Sequence, residues 1–415
     1  MDAVPEVDFD HHADEYFAHK HDVWRQARGC PVAHNPRYGG YWVVSGYDEV
    51  AQVSRDEATF SSTHYPGLHD GISWIGIMGI PRGEGLSPAG IAEADEVTHV
   101  ALRRLLNPFL LPAAVAAYQP LLERLARWAM DQRIARGEMD LVADFTSTVP
   151  AVMTLLILGL PADRWEHYRE VFHTTLAYPK DSPEFAHAAT LIPDMIEDLR
   201  RRAAERRADP KDDVLSGLAT MEVDGRPLDD DQVVSVLWNL IGGGLDTTTS
   251  LTSLALYHLD VDRDLRARLI DDLDLIVPAT EEFLRWTSVN ETLTRTVTRD
   301  VELGGQPLAR GDHVMLSWLS ANFDEAVFDR PEKVDIDRAP NPHLAFGVGP
   351  RRCIGMHLAR SQFQLMMKEV LTRIPDYEVD RDAVRFYQGN PELTGVVALP
   401  ARFTPGKVDG LERPF

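Results

Sequence analysis

The sequence predicts a mostly α-helical protein with small β-sheets at its margins, built as one large domain. Helical apolar periodicity recurs along most of the chain, and strand signals are few and short. No repeat period, low-complexity tract or Gly/Ser linker divides the 415 residues, so nothing marks a domain boundary and residues 1–415 can form a single unit, although the length alone would also allow two or three average domains. The composition, 44% apolar and 26% charged, is that of a globular chain with room for a sizeable core.

Taken in order, Tyr41–Val44 (YWVV) follows Gly39-Gly40 and is β-branched and aromatic, which predicts a strand. Helical spacing marks Leu102–Leu106, Leu121–Ile134, Val149–Leu160 and Met195–Ala208. It continues through Asp231–Leu259, Leu265–Asp274, Pro278–Trp286 and Ile354–Ile374. Thr296–Leu303 and His313–Leu316 are expected to pair as a hairpin around Gly304-Gly305. Asp231–Leu259 is long for a helix and carries Gly242-Gly243-Gly244 and Thr247-Thr248-Thr249 at its middle. Each glycine there costs roughly 1 kcal/mol against alanine. Such a weak segment points to a local opening, to close approach of something to the backbone, or to a tight helix crossing.

Charge and cysteine usage exclude several functions. With 42 Lys+Arg against 65 Asp+Glu the formal charge is −23, against the cationic surface that nucleic acid or anionic membranes require. Two cysteines, Cys30 and Cys353, cannot form a disulfide framework, so a reducing compartment and a cytoplasmic location are expected. Met1–Asp10 is acidic and unlike a signal peptide, and the apolar run Ala151–Leu160 is too short to span a bilayer. No membrane association is expected. Gly242–Gly244 does not follow the dinucleotide pattern, and no phosphate-loop lysine follows it.

The stretch Phe346-Gly347-Val348-Gly349-Pro350-Arg351-Arg352-Cys353-Ile354-Gly355 carries the most chemistry. Two glycines and a proline form a loop leading into a helical pattern, with the cysteine where the helix is expected to begin. Helix N–H groups and the neighbouring Arg351 and Arg352 would favour a thiolate. An anionic cysteine could serve as a nucleophile, as a zinc ligand with His357, or as an axial ligand of haem iron.

These ten residues resemble the haem-binding loop of the cytochrome P-450 family, and Leu358-Ala359-Arg360 continues the pattern. Tyr41–Val50 followed by Phe60-Ser61-Ser62 is similar to the first sheet and second helix of soluble bacterial members. The resemblance implies haem b, iron protoporphyrin IX, held by the thiolate of Cys353, with Phe346 and Gly355 completing the loop. Glu282 and Arg285 are three apart on one helix face and resemble the family's ExxR pair, with Arg338 as the third member of a structural network. His99 and Arg103, four apart, resemble the propionate-binding HxxxR spacing, and Arg295 and Arg351 match further propionate positions. Gly243-Gly244-Leu245-Asp246-Thr247 resembles the oxygen-activation motif. Gly243 would open the helix toward the haem, Thr247 would donate a hydrogen bond toward oxygen, and Asp246 would relay protons.

The implied activity is a haem-thiolate monooxygenase that uses O2 to oxidise an apolar small molecule. A peroxide-driven oxidase and a non-catalytic haem sensor are the alternatives. Two cysteines cannot hold a four-cysteine cluster, so electrons are expected from a separate ferredoxin or flavodoxin with its reductase. A monomer is expected. Asn239 shares a helix face with Gly243 and Thr247 and would contact the substrate. Val289–Thr294 and Pro391–Val396 are expected as pocket walls, and His64–Asp95, rich in glycine and isoleucine, as a mobile apolar cover. Residues 101–136 (six Arg against Glu123 and Asp131) and 343–368 (Arg351, Arg352, Arg360 and Lys368, no acid) form basic islands suited to an acidic redox partner.

Overall fold

The computed structural model describes residues 4–83, 88–388 and 390–415. The chain opens with α1 (Asp14–Ala27), β1 (Val32–Asn35), β2 (Tyr41–Val44), α2 (Tyr47–Arg55) and β3 (Phe60–Ser61). Next come β4 (His64–His69) and β5 (Ile72–Ile75), an antiparallel hairpin, then α3 (Gly90–Glu93), α4 (Glu96–Leu110) and α5 (Pro112–Asp131). Asp95 caps α4 by accepting the Thr98 N–H at 2.8 Å, and Pro112 opens α5, where a missing N–H costs nothing. Strand β6 (Glu138–Asp140) leads to α6 (Thr148–Leu158), α7 (Trp165–Ala177), α8 (Pro183–Ala208), α9 (Val214–Ala219) and the hairpin of β7 (Glu222–Val223) and β8 (Arg226–Pro227).

The second half holds α10 (Asp230–Val261), α11 (Arg263–Asp271) and α12 (Ile276–Thr287). Four strands follow, β9 (Thr292–Val297), β10 (Val301–Leu303), β11 (Gln306–Leu308) and β12 (His313–Ser317). Then come α13 (Trp318–Asn322), α14 (Met356–Arg373) and the short strands β13 (Glu378–Val379), β14 (Arg385–Phe386), β15 (Val396–Ala398) and β16 (Pro400–Arg402).

The main sheet has the order β1-β2-β12-β9-β3, and all four residues of β2 are buried in it. The strand expected over Thr296–Leu303 is in fact two. Thr292–Val297 pairs with β12, with Thr296 opposite His313, whereas Val301–Leu303 turns at Gly304-Gly305 onto β11 in a separate sheet. The break at residues 298–300 lets a tight glycine hairpin sit at the tip of a wider one.

Helix α10 is 32 residues long and so spans about 48 Å. A capping box starts it: Asp229 accepts the Gln232 N–H at 2.8 Å and the Gln232 side chain accepts the Asp229 N–H at 2.9 Å. Helices α3, α6, α7, α8, α12 and α14 pack around it, which makes it the axis of the main core. Its backbone is helical throughout, so the expected local opening is not a break in the helix. The glycines divide the work instead. A Cβ on Gly244 would lie 2.6 Å from Thr154 Oγ1 and one on Gly242 3.2 Å from the Phe172 ring, both tight crossings, whereas one on Gly243 would meet nothing within 4 Å.

The remaining helices fall on their sequence cores with shifted ends: α4 and α12 extend beyond them, α14 stops short at both ends, and α8 begins at Pro183 rather than near Met195. Helix α7 was not read from the sequence, although it buries Trp165, Tyr168, Val171 and Phe172 at helical spacing. Leu141–Leu158 is long and apolar enough to cross a membrane, yet 78% of it is buried inside the fold.

The cover expected over His64–Asp95 is anchored where it is described; residues 84–87 lie outside the described residues. The Ile75 N–H donates to Thr296 Oγ1 at 3.1 Å and Thr294 Oγ1 donates to the Gly76 carbonyl at 2.8 Å. Glu93 accepts the Ile77 N–H at 2.7 Å, Arg310 donates to the Asp70 carbonyl at 2.8 Å, and Arg82 to the Ile75 carbonyl at 2.9 Å.

Candidate functional site

The loop before α14 is shaped by Gly347 (φ 66°) and Gly349 (φ 86°), both left-handed. A Cβ on Gly349 would lie 2.7 Å from the Ser54 carbonyl, so glycine lets the loop press against the end of α2. The Cys353 N–H donates to the Phe346 carbonyl at 2.9 Å, and the guanidinium of Arg360 stacks 4.6 Å from the centre of the Phe346 ring. Gly355 is the residue before α14, so Cys353 stands in the loop ahead of the helix and not in its first turn. Cys353 is an exposed residue, although protein surrounds its thiol on most sides. Burial pushes the Cys353 thiol up; the Gly355 N–H and the charges of Arg103, Arg360 and Arg352 oppose this without overcoming it. The loop alone therefore does not make the anion expected from the sequence, and a cation at the sulfur would supply the difference.

Behind this loop lies a buried ion network. Arg285 grips Glu282 with two bonds, of 2.9 and 2.7 Å, and gives its other donors to the carbonyls of Asn322, Pro331 and Lys333. Arg338 donates to Glu282 at 3.1 Å, and the Asp335 N–H and the Asn341 amide fill its remaining positions. The network reaches the cysteine loop through Asn322, whose side-chain oxygen accepts the Leu344 N–H at 2.7 Å. A second clamp, which the sequence did not suggest, joins Glu281 to Arg360 through two bonds of 2.7 Å and to His343 at 3.1 Å.

The charge of Arg351 acts on His99, Arg103 and Arg295. Burial, with Arg351 and Arg103 beside it, holds His99 at about 4, and burial next to Arg351 brings Arg295 down to about 10. Burial also lowers Arg103, while the Cys353 sulfur near it acts in the opposite direction. Arg351 is the exception to the expected propionate set: it pairs with Glu57 and donates to the carbonyls of Ile91, Ala92 and Ala94, so its donors are spent on protein. A recess of about 790 Å³ opens here, lined by His99, Arg103, Arg104, Glu57, Tyr65 and Trp74.

On α10, Asn239, Gly243 and Thr247 share a face that is not buried, while Ile241, Leu245 and Asp246 beside them are. The Thr247 hydroxyl donates to the Gly243 carbonyl at 2.9 Å, the back-bonded state of a helical threonine. Asn239 sits against Gly90 of α3, its Cβ 2.9 Å from where a Gly90 side chain would begin, and its amide makes no hydrogen bond among the described residues. The Asp246 carboxylate does not face this open side. It is buried against His173 Nδ1, at 2.7 Å, and the Tyr387 hydroxyl. Neither partner was singled out from the sequence, where they lie 73 and 141 residues away. The two expected wall segments are neighbours: the Thr394 N–H donates to the Val289 carbonyl at 3.0 Å.

The family description Cytochrome P-450 matches residues 185–380. The steroid C26-monooxygenase of Mycobacterium tuberculosis is 34% identical over 75% of this chain and 85% of its own length. The chain belongs to the cytochrome P-450 family. Linalool 8-monooxygenase of Pseudomonas putida is 29% identical over 88% of this chain and 91% of its own. The solved structure of a mutant of the cytochrome P-450 EryK in complex with erythromycin B superimposes with a TM-score of 0.80, at 29% identity over 99% of this chain and 100% of that one.

This cytochrome P-450 is a haem-thiolate monooxygenase, and members of the family carry haem b through a cysteine thiolate. The residues present fit that group. Cys353 is exposed at the end of its loop, Gly243 and Gly355 leave open space where a Cβ would be, and buried Arg295 with Arg103 suits anionic partners such as two propionates, with the imidazole of His99 beside Arg103 and Arg351. A zinc site fits less well, since among the described residues no three His, Cys, Asp or Glu side chains converge.

Proposed function

We propose that this cytochrome P-450 inserts one oxygen atom from O2 into an apolar small molecule lying along the open face of α10. The observation that carries the reading is the exposed Cys353 in a glycine-shaped loop anchored by a fully buried Glu282–Arg285 pair. Cys353 would hold the haem iron, with Arg103, His99 and Arg295 on the propionates; Arg351, paired with Glu57, would stiffen the loop and add long-range charge. Haem held there would supply O2 binding and accept electrons at the iron. The Thr247 hydroxyl would exchange its bond to the Gly243 carbonyl for one toward the reacting oxygen, and Asp246 would deliver the proton that replaces it. Phe346 would cover the sulfur, and Gly355 would offer its N–H to it.

Asn239 is proposed as the polar contact of an otherwise apolar substrate, since its amide is uncommitted on the same face. A steroid, linalool and erythromycin B are what the similar proteins act on or hold, and all three expose large apolar surface. Electrons would come from a separate acidic ferredoxin or flavodoxin, the protein acting as a cytoplasmic monomer in one domain. The decisive measurement is the absorption spectrum of the reduced protein with carbon monoxide. A thiolate-type band is expected, its loss in Cys353→His is expected too, and a histidine-type band in the unaltered protein would overturn the reading.

A further inference from the structure

Asp246 must receive protons from somewhere, yet the open face of α10 is where its carboxylate does not point. Its Oδ1 accepts from His173 Nδ1 at 2.7 Å, and its Oδ2 accepts the hydroxyl of Tyr387. Burial beside Asp246 holds the Tyr387 phenol well above its usual range, so that hydroxyl stays a donor. Ser250 bonds the same phenol at 3.4 Å, and the phenol lies 3.3 Å from His173 Nδ1. Both carboxylate oxygens are thus engaged on one side of the helix.

The second nitrogen of His173, Nε2, is buried with no hydrogen-bond partner among the described residues. The ring that carries it forms part of the wall of a second recess, about 320 Å³, lined also by Glu166, Arg169, Glu170 and Thr174 of α7. A buried nitrogen without a partner is rare unless water or a functional group serves it. Carboxylates at the recess favour protonated water there. The charged and titratable groups around the imidazole are Glu166, Arg169 and Glu170 from α7, Asp246 from α10, Tyr387 from the C-terminal segment, and Asp140 and Asp144, which act through Arg169.

We propose that His173 recharges Asp246 with protons drawn from this recess. The inference rests on Asp246 and Thr247 serving oxygen activation. Neutral His173 carries its proton on Nδ1. Water in the recess protonates Nε2, the Nδ1 proton passes to Asp246 Oδ1, and the ring is left neutral with its proton on Nε2. A swing of the ring into the recess exchanges that proton with water and restores the first tautomer. One proton leaves water, one arrives at the carboxyl, the hydroxide left behind is neutralised by bulk solvent, and no electron moves. His173 acts through Asp246 and is a positioning and relay residue, away from the reacting atoms.

The test compares His173→Gln, which keeps an N–H for Asp246 but cannot ionise, with His173→Ala, whose enlarged recess admits free imidazole. In both, the carbon monoxide spectrum and the substrate-induced spin shift should match the parent protein. Product formation should fall on the order of 100-fold, its pH profile should lose one limb, and the solvent deuterium isotope effect should rise. Imidazole should restore His173→Ala but not His173→Ala combined with Asp246→Asn. Nitrogen-15 spectra of the reduced, carbon monoxide-bound protein give a readout without turnover: the His173 ring should carry its proton on Nδ1, toward Asp246, and Asp246→Asn should shift that signal. Unchanged rate and isotope effect in His173→Gln, or an Nδ1 signal that Asp246→Asn leaves in place, would overturn the relay. A histidine-type carbon monoxide band would instead overturn the haem-thiolate reading beneath it.

Discussion

Arg285 spends all five of its N–H donors inside the protein, on Glu282 and three backbone carbonyls, with none of its side chain exposed. Arg285→Lys cannot reproduce that fork and strands Glu282 beside a single remaining guanidinium, at a cost of about 3–5 kcal/mol. The expected result is a protein that melts earlier and retains haem poorly, read by calorimetry and by the absorbance ratio of haem to protein. Thr247→Ala removes the one hydroxyl on the open face beside Gly243, so oxygen consumption should continue while hydrogen peroxide replaces product; unchanged coupling would exclude the role given to Thr247. Glu392 supplies a pH test. Burial and the neighbouring Glu93 push it up to about 7, above the ordinary 4.5, so it keeps its proton longer in the fold than in the unfolded chain. Stability therefore falls as pH rises from 4.5 toward about 7 and stays reduced above that, and Glu392→Gln should flatten this part of a melting-temperature profile. Residues whose partners lie close along the chain were legible beforehand: the cysteine loop and the Glu282–Arg285 pair are each one short segment. The ion pair of Arg351 went unread because Glu57 is 294 residues away, and spacing carries no information about such a partner.

At the scale of elements, the triple glycine of α10 shows what periodicity conveys and what it hides. Its oddity was visible in the sequence, but whether each glycine faced a neighbour or open space depended on α6 and α7, which no local pattern places. The structure separates them, and so does an experiment: Gly243→Ala should stabilise by up to about 1 kcal/mol through helix propensity. Gly244→Leu should destabilise by about 1–3 kcal/mol by driving into Thr154, both read by thermal unfolding. Equal effects at the two positions would contradict the packing. Helix α7 went unread because its polar face supplies most of its residues, yet its buried positions recur at the helical period and its His173 touches Asp246. The wide strand pair was legible as to partners and wrong as to register, since a hairpin nested at residues 301–308 mimics a continuous strand.

Across the whole molecule, the charge of −23 is distributed unevenly. Helices α5 and α14 pack together, and Ser361 bonds Gln119 across them at 2.9 Å, so the two basic islands form one face. Arg351 and Arg360 drop out of that face because Glu57 and Glu281 neutralise them. Arg104, Arg124, Arg127, Arg136, Arg352 and Lys368 remain, exposed and without ion pairs among the described residues. The rate of reduction by an acidic ferredoxin should fall as salt rises, and reversing Arg104 and Arg352 to Glu should weaken that dependence. A rate indifferent to salt would place docking elsewhere. The segment His64–Asp95, expected from the sequence to cover the pocket, has a different logic. Residues 70–77 are tied to the sheet, to Arg82 and to Glu93 largely through their own peptide groups, by Thr294, Thr296 and Arg310 among others. Attachment through peptide groups does not depend on which side chains the segment carries. The exposed Asp70 and Ser73 and the half-buried Ile72 and Trp74 can therefore be exchanged while the scaffold keeps its hold on the segment, whereas the buried Ile75 and Ile77 cannot be exchanged so readily, so directed evolution of substrate preference would vary the former and leave the latter.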